Sequence, residues 1–345
     1  MIKTSGAMQP MTVRRVLGVC GLLAVVLFGV VVISLRLGAY PISVRDIVLT
    51  LARGVMGHRA QIPSDDWLVI FGLRLPRIAL GIIVGASLSV AGASFQALLR
   101  NPLADPYVLG VSSGAALGAI LSLLWAPHGG LVMQMAAFAG AALTTTAVYF
   151  LGRRGGQLDS STLLLAGIIT ASFLSAVIMF LMTTLAGRDL RGMAFWLMGD
   201  LATTPAVSMG LLFLVMGVTI GAIYTTTPDL NLILTGEDEA RHLGVNVGRV
   251  KVVVYIAASL LTGLAVSVSG SIGYVGLLVP HLVRMLFGSD YRLLIPATAL
   301  AGAIIIVAAD MLGRTVMAPT ELPVGAMTAV AGAPVFIYLL RRGMR

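Results

Sequence analysis

Ten stretches of this chain are apolar on every face, and short polar segments separate them. They run approximately over 16–36, 76–98, 106–125, 131–151, 161–184, 205–225, 250–272, 275–288, 292–310 and 324–340. Most approach the roughly 20 residues that a helix needs to span a hydrocarbon core about 30 Å thick, inside which each backbone amide must be bonded within its own helix. A spanning β-barrel would instead show strands of about 10 residues with alternating polarity. The pattern predicts an all-α polytopic membrane protein with about ten transmembrane helices, forming one domain over residues 1–345. The third stretch starts at Pro106 and the eighth is short and interrupted by Pro280, so irregular geometry is expected in both.

Composition agrees: 58% of the residues are hydrophobic and 11% charged, less than half the roughly 25% charged share of a soluble globular chain. The first run follows Arg14 and Arg15 but exceeds the roughly 7–15 apolar residues of a signal-peptide core, and no small-x-small cleavage site follows it. It reads as a retained helix. The single cysteine, Cys20, lies within it and reads as a small buried apolar side chain.

Lys and Arg collect on one side of the ten-span arrangement: Lys3, Arg14 and Arg15; Arg153 and Arg154; Arg241, Arg249 and Lys251; Arg341, Arg342 and Arg345. By the positive-inside rule that side is the cytoplasm, with both termini in it. The net charge of +9 is then a topogenic signal, and no soluble basic domain exists to bind nucleic acid. Arg74, Arg77 and Arg314 break the rule by falling on the outer face. Contact with an acidic partner, interfacial snorkelling and, for Arg314, an i, i+4 pair with Asp310 are the readings open to them.

The longest inner segment, 225–251, carries Thr235, Gly236, Glu237, Asp238, Glu239, Ala240, Arg241, His242, Leu243 and Gly244. Thr235 as a cap, acidic residues in the first turn, basic residues next and Gly244 as a stop predict a short cytoplasmic helix. A capped helix in a loop of this length reads as an interaction element rather than a link. The alternative is a helix resting on the lipid surface, although its acidic cluster would be repelled by anionic headgroups.

Gly81, Gly85, Ser89 and Gly92 share one helical face that Gln96 continues. Small faces permit close helix packing, whereas Gln96 needs a partner at depth, either an interhelical hydrogen bond or the water of a pathway. Four histidines, His58, His128, His242 and His281, have no helical ligand spacing and no completing carboxylates, so no metal site is expected. Neither lysine, Lys3 nor Lys251, follows a glycine, so a phosphate-binding loop is absent and any ATP must be hydrolysed by another subunit. A weak echo relates Gly85, Ser89 and Gly92 to Gly263, Ser267 and Gly270, which would place the copies in opposite orientations.

Several ordered blocks carry a family resemblance: LRLPR at 73–77; the small-residue run 85–110 with Gln96 and the RNPL of Arg100, Asn101, Pro102 and Leu103; WLMG at 196–199; GEDEARHLG at 236–244; GLLVPHLVR at 276–284 with Pro280, His281 and Arg284; ELPVG at 321–325; and GAPVF at 332–336. The chain resembles permeases of the FecCD or BtuC-like family, the membrane subunits of ABC importers for iron-siderophore, haem or vitamin B12. The resemblance implies the type II importer fold, a homodimer enclosing the path, and two ATPase subunits that carry the ATP and Mg. It also implies a periplasmic or lipid-anchored substrate-binding protein on the outer face of the bacterial cytoplasmic membrane. The segment Thr235 to Gly244, extending towards Val247, would then couple to the ATPase, and Arg74, Arg77 and Arg314 would meet acidic residues of the binding protein. This chain would bind no cofactor and break no covalent bond. Ferric siderophore is the first expectation for the cargo, with cobalamin and haem as alternatives. A secondary transporter should carry several ionisable groups near mid-membrane, and an intramembrane enzyme a nucleophile and base or a metal site; neither pattern occurs.

Overall fold

The computed structural model describes residues 12–38, 40, 42–57, 63–125, 130–155, 157–184, 190–318 and 320–343. Its first helix, α1 (Val13–Arg36), starts where the Thr12 hydroxyl accepts the Arg15 N–H, satisfying one of the free donors of a helix start. A second helix, α2 (Val44–Val55), is amphipathic and capped by Ser43. The short α3 (Ser64–Trp67) runs through a π-helical segment, Leu68–Arg74, into α4 (Leu75–Leu98). The sequence reading passed over α2, although Ser43 as cap and Asp46 three residues later form a legible start signal.

A turn at 99–105 leads to one 3-10 turn, Pro106–Leu109, and then to α5 (Val111–Trp125) and α6 (Gly130–Leu151). The predicted third span is therefore divided. Asp105 caps the 3-10 turn through Tyr107 N (2.8 Å), and Gly110, with φ of 76°, makes the bend into α5. A two-stranded antiparallel hairpin, β1 (Arg153–Arg154) and β2 (Gln157–Leu158), precedes α7 (Ser160–Thr184). The remaining helices are α8 (Leu190–Met198), α9 (Met209–Thr225), α10 (Thr227–Thr235), α11 (Glu237–His242), α12 (Val247–Ser269), α13 (Val275–Phe287), α14 (Tyr291–Thr315) and α15 (Val324–Gly343).

Among the described residues six of these helices are long and apolar enough to cross a membrane, the bent pair α9 and α10 brings the number to seven when counted as one span, and α5, α13 and α15 are shorter apolar helices. Together they account for the ten predicted spans. The centre of the subunit is α4, packed mainly on α14, α12 and α13. Its most apolar window is 89% buried, against 0% for α1. α1, α6 and α7 present Leu, Val and Phe outward.

The interruption expected at Pro280 does not occur, because α13 runs through it. Proline cannot donate to the carbonyl four residues earlier. That carbonyl, Gly276 O, packs directly over the Cα of Gly92 in α4.

Candidate functional site

Two polar clusters lie at opposite ends of the helical core. At one of them, Asp310 of α14 is enclosed by arginines: Arg77 Nε lies 2.7 Å from Oδ1 and Arg314 Nε 3.0 Å from Oδ2. The Arg314 contact is near enough for an ion pair but not aligned as a hydrogen bond; its Nη2 donates to Ser34 Oγ of α1 at 2.8 Å. Arg77 also reaches Glu321, at 2.6 Å. Arg74 donates to the carbonyls of Leu35 and Tyr40, closing the open end of α1. The three arginines and Glu321 line a cavity of about 340 Å³ together with Tyr40, Leu73 and Ala202. Arg74, Arg77 and Arg314 are thus held inside the subunit at this mouth, and the pairing of Asp310 with Arg314 joins a wider network that includes Arg77, Glu321 and Ser34. Spacing alone could suggest the first pair; the other contacts cross 233 or more residues of chain.

The small-residue face of α4 lies within the subunit. Gly85 abuts the Gly302 carbonyl of α14, Ser89 abuts Gly302, and Gly92 abuts Gly276 of α13, so that a Cβ on either α4 glycine would overlap backbone. These are helix crossings, and close approach is what the small residues allow. Gln96 is buried and bonded across helices: its Nε2 donates to Leu277 O (3.3 Å) and its Oε1 accepts from Arg284 Nη2 (3.1 Å). The same Arg284 nitrogen lies 3.4 Å from the Tyr291 hydroxyl, which donates to Ala93 O. The echo between α4 and α12 does not repeat a role, since Gly263 faces Phe138 and Ala141 of α6 and Gly270 ends its helix with φ of 68°.

Arg100, Asn101 and Pro102 form the turn after α4. Arg100 takes a left-handed conformation, φ 48°, uncommon for a residue with a Cβ, and Asn101 Oδ1 accepts the Leu103 N–H at 2.9 Å. Pro280 is buried and His281 half-buried on α13. Among the described residues no group of three His, Cys, Asp or Glu side chains is placed to hold a metal; His58 and His128 lie outside the described residues.

At the other end, the predicted short helix is present as α11, preceded by α10, but its start differs from the expectation. Thr235 is the last residue of α10, its hydroxyl donating to Leu232 O (2.8 Å), and it is not the cap of the next helix. Gly236 is the cap residue of α11, and the Glu239 carboxylate occupies the space a Cβ would need there. The helix does not extend to Val247: Gly244, φ 87°, turns the chain and α12 starts anew. Ala240 is fully buried, whereas Asp238, Glu239, Arg241, His242, Leu243 and Gly244 are exposed, Leu243 to 67%. Arg241 pairs with Asp238 (2.9 Å) and Glu237 (3.8 Å), and Glu237 pairs with Lys251 of α12 (2.6 Å). Lys251, read in the sequence only as a topogenic charge, is buried. Its position at the first turn of an apolar run was the available signal.

Over residues 23–342 the sequence matches the FecCD transport family. It is 45% identical over 299 residues to the uncharacterized ABC transporter permease protein YvrB of Bacillus subtilis, covering 84% of each chain. It is 43% identical over 282 residues to the cobalamin import system permease protein BtuC of Halobacterium salinarum, covering 81% of this chain and 75% of that one. A solved inward-facing structure of a transporter assigned to the metal-chelate type of ABC transporter superposes with a TM-score of 0.81 at 30% identity, over 94% of this chain and 99% of the other. With its apolar spans, its buried central helix and this match across nearly its whole length, the chain belongs to the FecCD transport family of membrane permeases.

Proposed function

We propose that the chain is the membrane subunit of an ABC importer that brings a metal chelate into the cell, a ferric siderophore first, with cobalamin or haem as the alternative cargo. The observation that carries this reading is α11. A six-residue helix is anchored through Ala240 and Glu237 while an exposed Leu243 and a rim of charges project from it. An apolar residue ringed by charge on a short rigid helix suits insertion into the cleft of another protein. Two ATPase subunits holding ATP and Mg would occupy that face, and a second copy of this chain would complete the path. An acidic binding protein would dock over Arg74, Arg77 and Arg314, whose mouth is rich in cationic groups. ATP-driven closure of the ATPases can move the permease only if it favours one of its conformations over the other. The likeness to the cobalamin import system permease of Halobacterium salinarum supports an importer and keeps that cargo open. In this reading the protein sits in the bacterial cytoplasmic membrane with both termini inside.

Purification of a tagged chain from its native membrane, in mild detergent with crosslinking and mass spectrometry, tests the proposal. An ATPase and a soluble binding protein carrying a chelate are the expected companions. Repeated recovery without an ATPase, from cells that express one, would overturn it.

A further inference from the structure

One ammonium group joins three elements at the inner end of the core. Lys251 Nζ lies 2.6 Å from Glu237 Oε1 of α11 and donates to the Leu158 carbonyl of β2 at 3.3 Å, while its own backbone lies near the start of α12. Its side chain is 8% exposed. Leu158 immediately precedes the start of α7, where Asp159 Oδ1 accepts the N–H (2.8 Å) and the hydroxyl (2.6 Å) of Thr162. Ser160 donates to Leu98 O at the end of α4 (3.2 Å). A path of polar contacts therefore runs from α11 through Lys251 to the start of α7 and on to the central helix.

We infer that Lys251 is the positioning residue through which movement of α11 reaches α7, a role that rests on the proposed coupling function of α11. A charge this enclosed is costly unless paired, and it is strongly unfavourable once one partner leaves. Displacing Glu237 must therefore either draw Lys251 along or leave its ammonium to the Leu158 carbonyl and the neighbouring Asp159 carboxylate, both at the start of α7. Either result changes the force on the segment that opens α7. The pair also has room to move: Glu237, Lys251, Leu158, Asp159, Ser160, Leu99, Arg100 and Arg154 line a polar cavity of about 510 Å³. A greasy side chain at 251 would fill the same space but could not follow a carboxylate.

The whole transporter, co-purified and placed in lipid nanodiscs, is compared by hydrogen–deuterium exchange with and without ATP, Mg and vanadate. In the wild type the nucleotide changes exchange in both the α11 segment and residues 152–163. In Lys251→Met the response of 152–163 is expected to fall at least about fivefold, the lower end of typical coupling effects, while the response of α11 persists. Lys251→Arg and the exchanged pair Glu237→Lys with Lys251→Glu are expected to restore it, which a merely structural brace lost through misfolding would not explain. Should Lys251→Met fail to assemble, Glu237→Ala removes the same contact from the α11 side and is expected to silence 152–163. A full response at 152–163 in Lys251→Met or Glu237→Ala overturns the inference alone. A wild type that recruits no ATPase overturns the importer reading and the inference with it.

Discussion

Asp310 shows how much one carboxylate can hold. It is 3% exposed in its side chain and faces two arginines that reach it from α4 and from its own helix. Removing one member of a buried ion pair costs about 3–5 kcal/mol because the remaining charges stay buried without compensation. Asp310→Asn is therefore expected to lower the unfolding midpoint of the purified protein steeply, and an unchanged midpoint would refute the network as a stabilising element. Asp290 behaves differently because it lies ahead of α14, as its cap. The hydrogen bond from the Arg292 side chain holds its carboxyl below the usual range, with Asn231 helping and burial opposing. A lowered folded pKa means that the ionised form adds stability above the unfolded value of about 3.9, and that this is lost as pH falls through the folded value. Asp290→Asn should be less stable than the wild type at neutral pH, and the gap should close below about pH 4. A gap independent of pH in thermal melts would contradict this.

At the scale of elements, α4 is a rod whose contacts are set by missing side chains. Gly92 admits the Gly276 carbonyl freed by Pro280, and Gly85 admits that of Gly302. Here a methyl group meets backbone, which has little freedom to give way, so Gly92→Val is expected to cost at least the roughly 1–3 kcal/mol of ordinary overpacking. Gly217→Ala on α9, where a Cβ meets nothing within 4 Å, should leave thermal stability unharmed and serves as the control. The short α11 carries the other element-level prediction. Truncating Glu237 and Arg241 together to Ala removes its tie to Lys251 and its own internal pairs. ATP hydrolysis by the reconstituted transporter should then continue with little uptake, and normal uptake would refute the coupling assignment.

Across the whole molecule the polar contacts sort into two ends. Arg15 bonded to Phe287 O, Asn231 bonded to Asp290, and Glu237 paired with Lys251 lie at one end; the arginine cluster around Asp310 lies at the other. Between them the surface of α1, α6 and α7 is apolar, as a lipid-facing surface must be. Single cysteines placed at Arg249 and Thr320, in a chain with Cys20 replaced by Ser, test the proposed orientation. A membrane-impermeant maleimide should label position 320 on intact cells and position 249 only after permeabilisation. The opposite labelling would invert the topology.

Hydropathy runs by themselves determined that the chain is helical, that it spans a membrane about ten times and, with the ordered blocks, which family it joins. Those features depend on local length and on the absence of water around the backbone, and both can be read residue by residue. Tertiary structure decided what individual groups do. The reach of Arg77 to Glu321, the seat of Ser34 on Arg314 and the burial of Lys251 are contacts across 93 to 280 residues of sequence. Pattern has no period at such distances. The same limit explains α10 and α11: the polarity of 225–251 announced an inner segment, but Thr235 became an end rather than a start because it is the last residue of α10 and Gly236 takes the cap position of α11. It also explains Pro280, whose unbroken helix is tolerated because α4 offers a glycine where the freed carbonyl must lie.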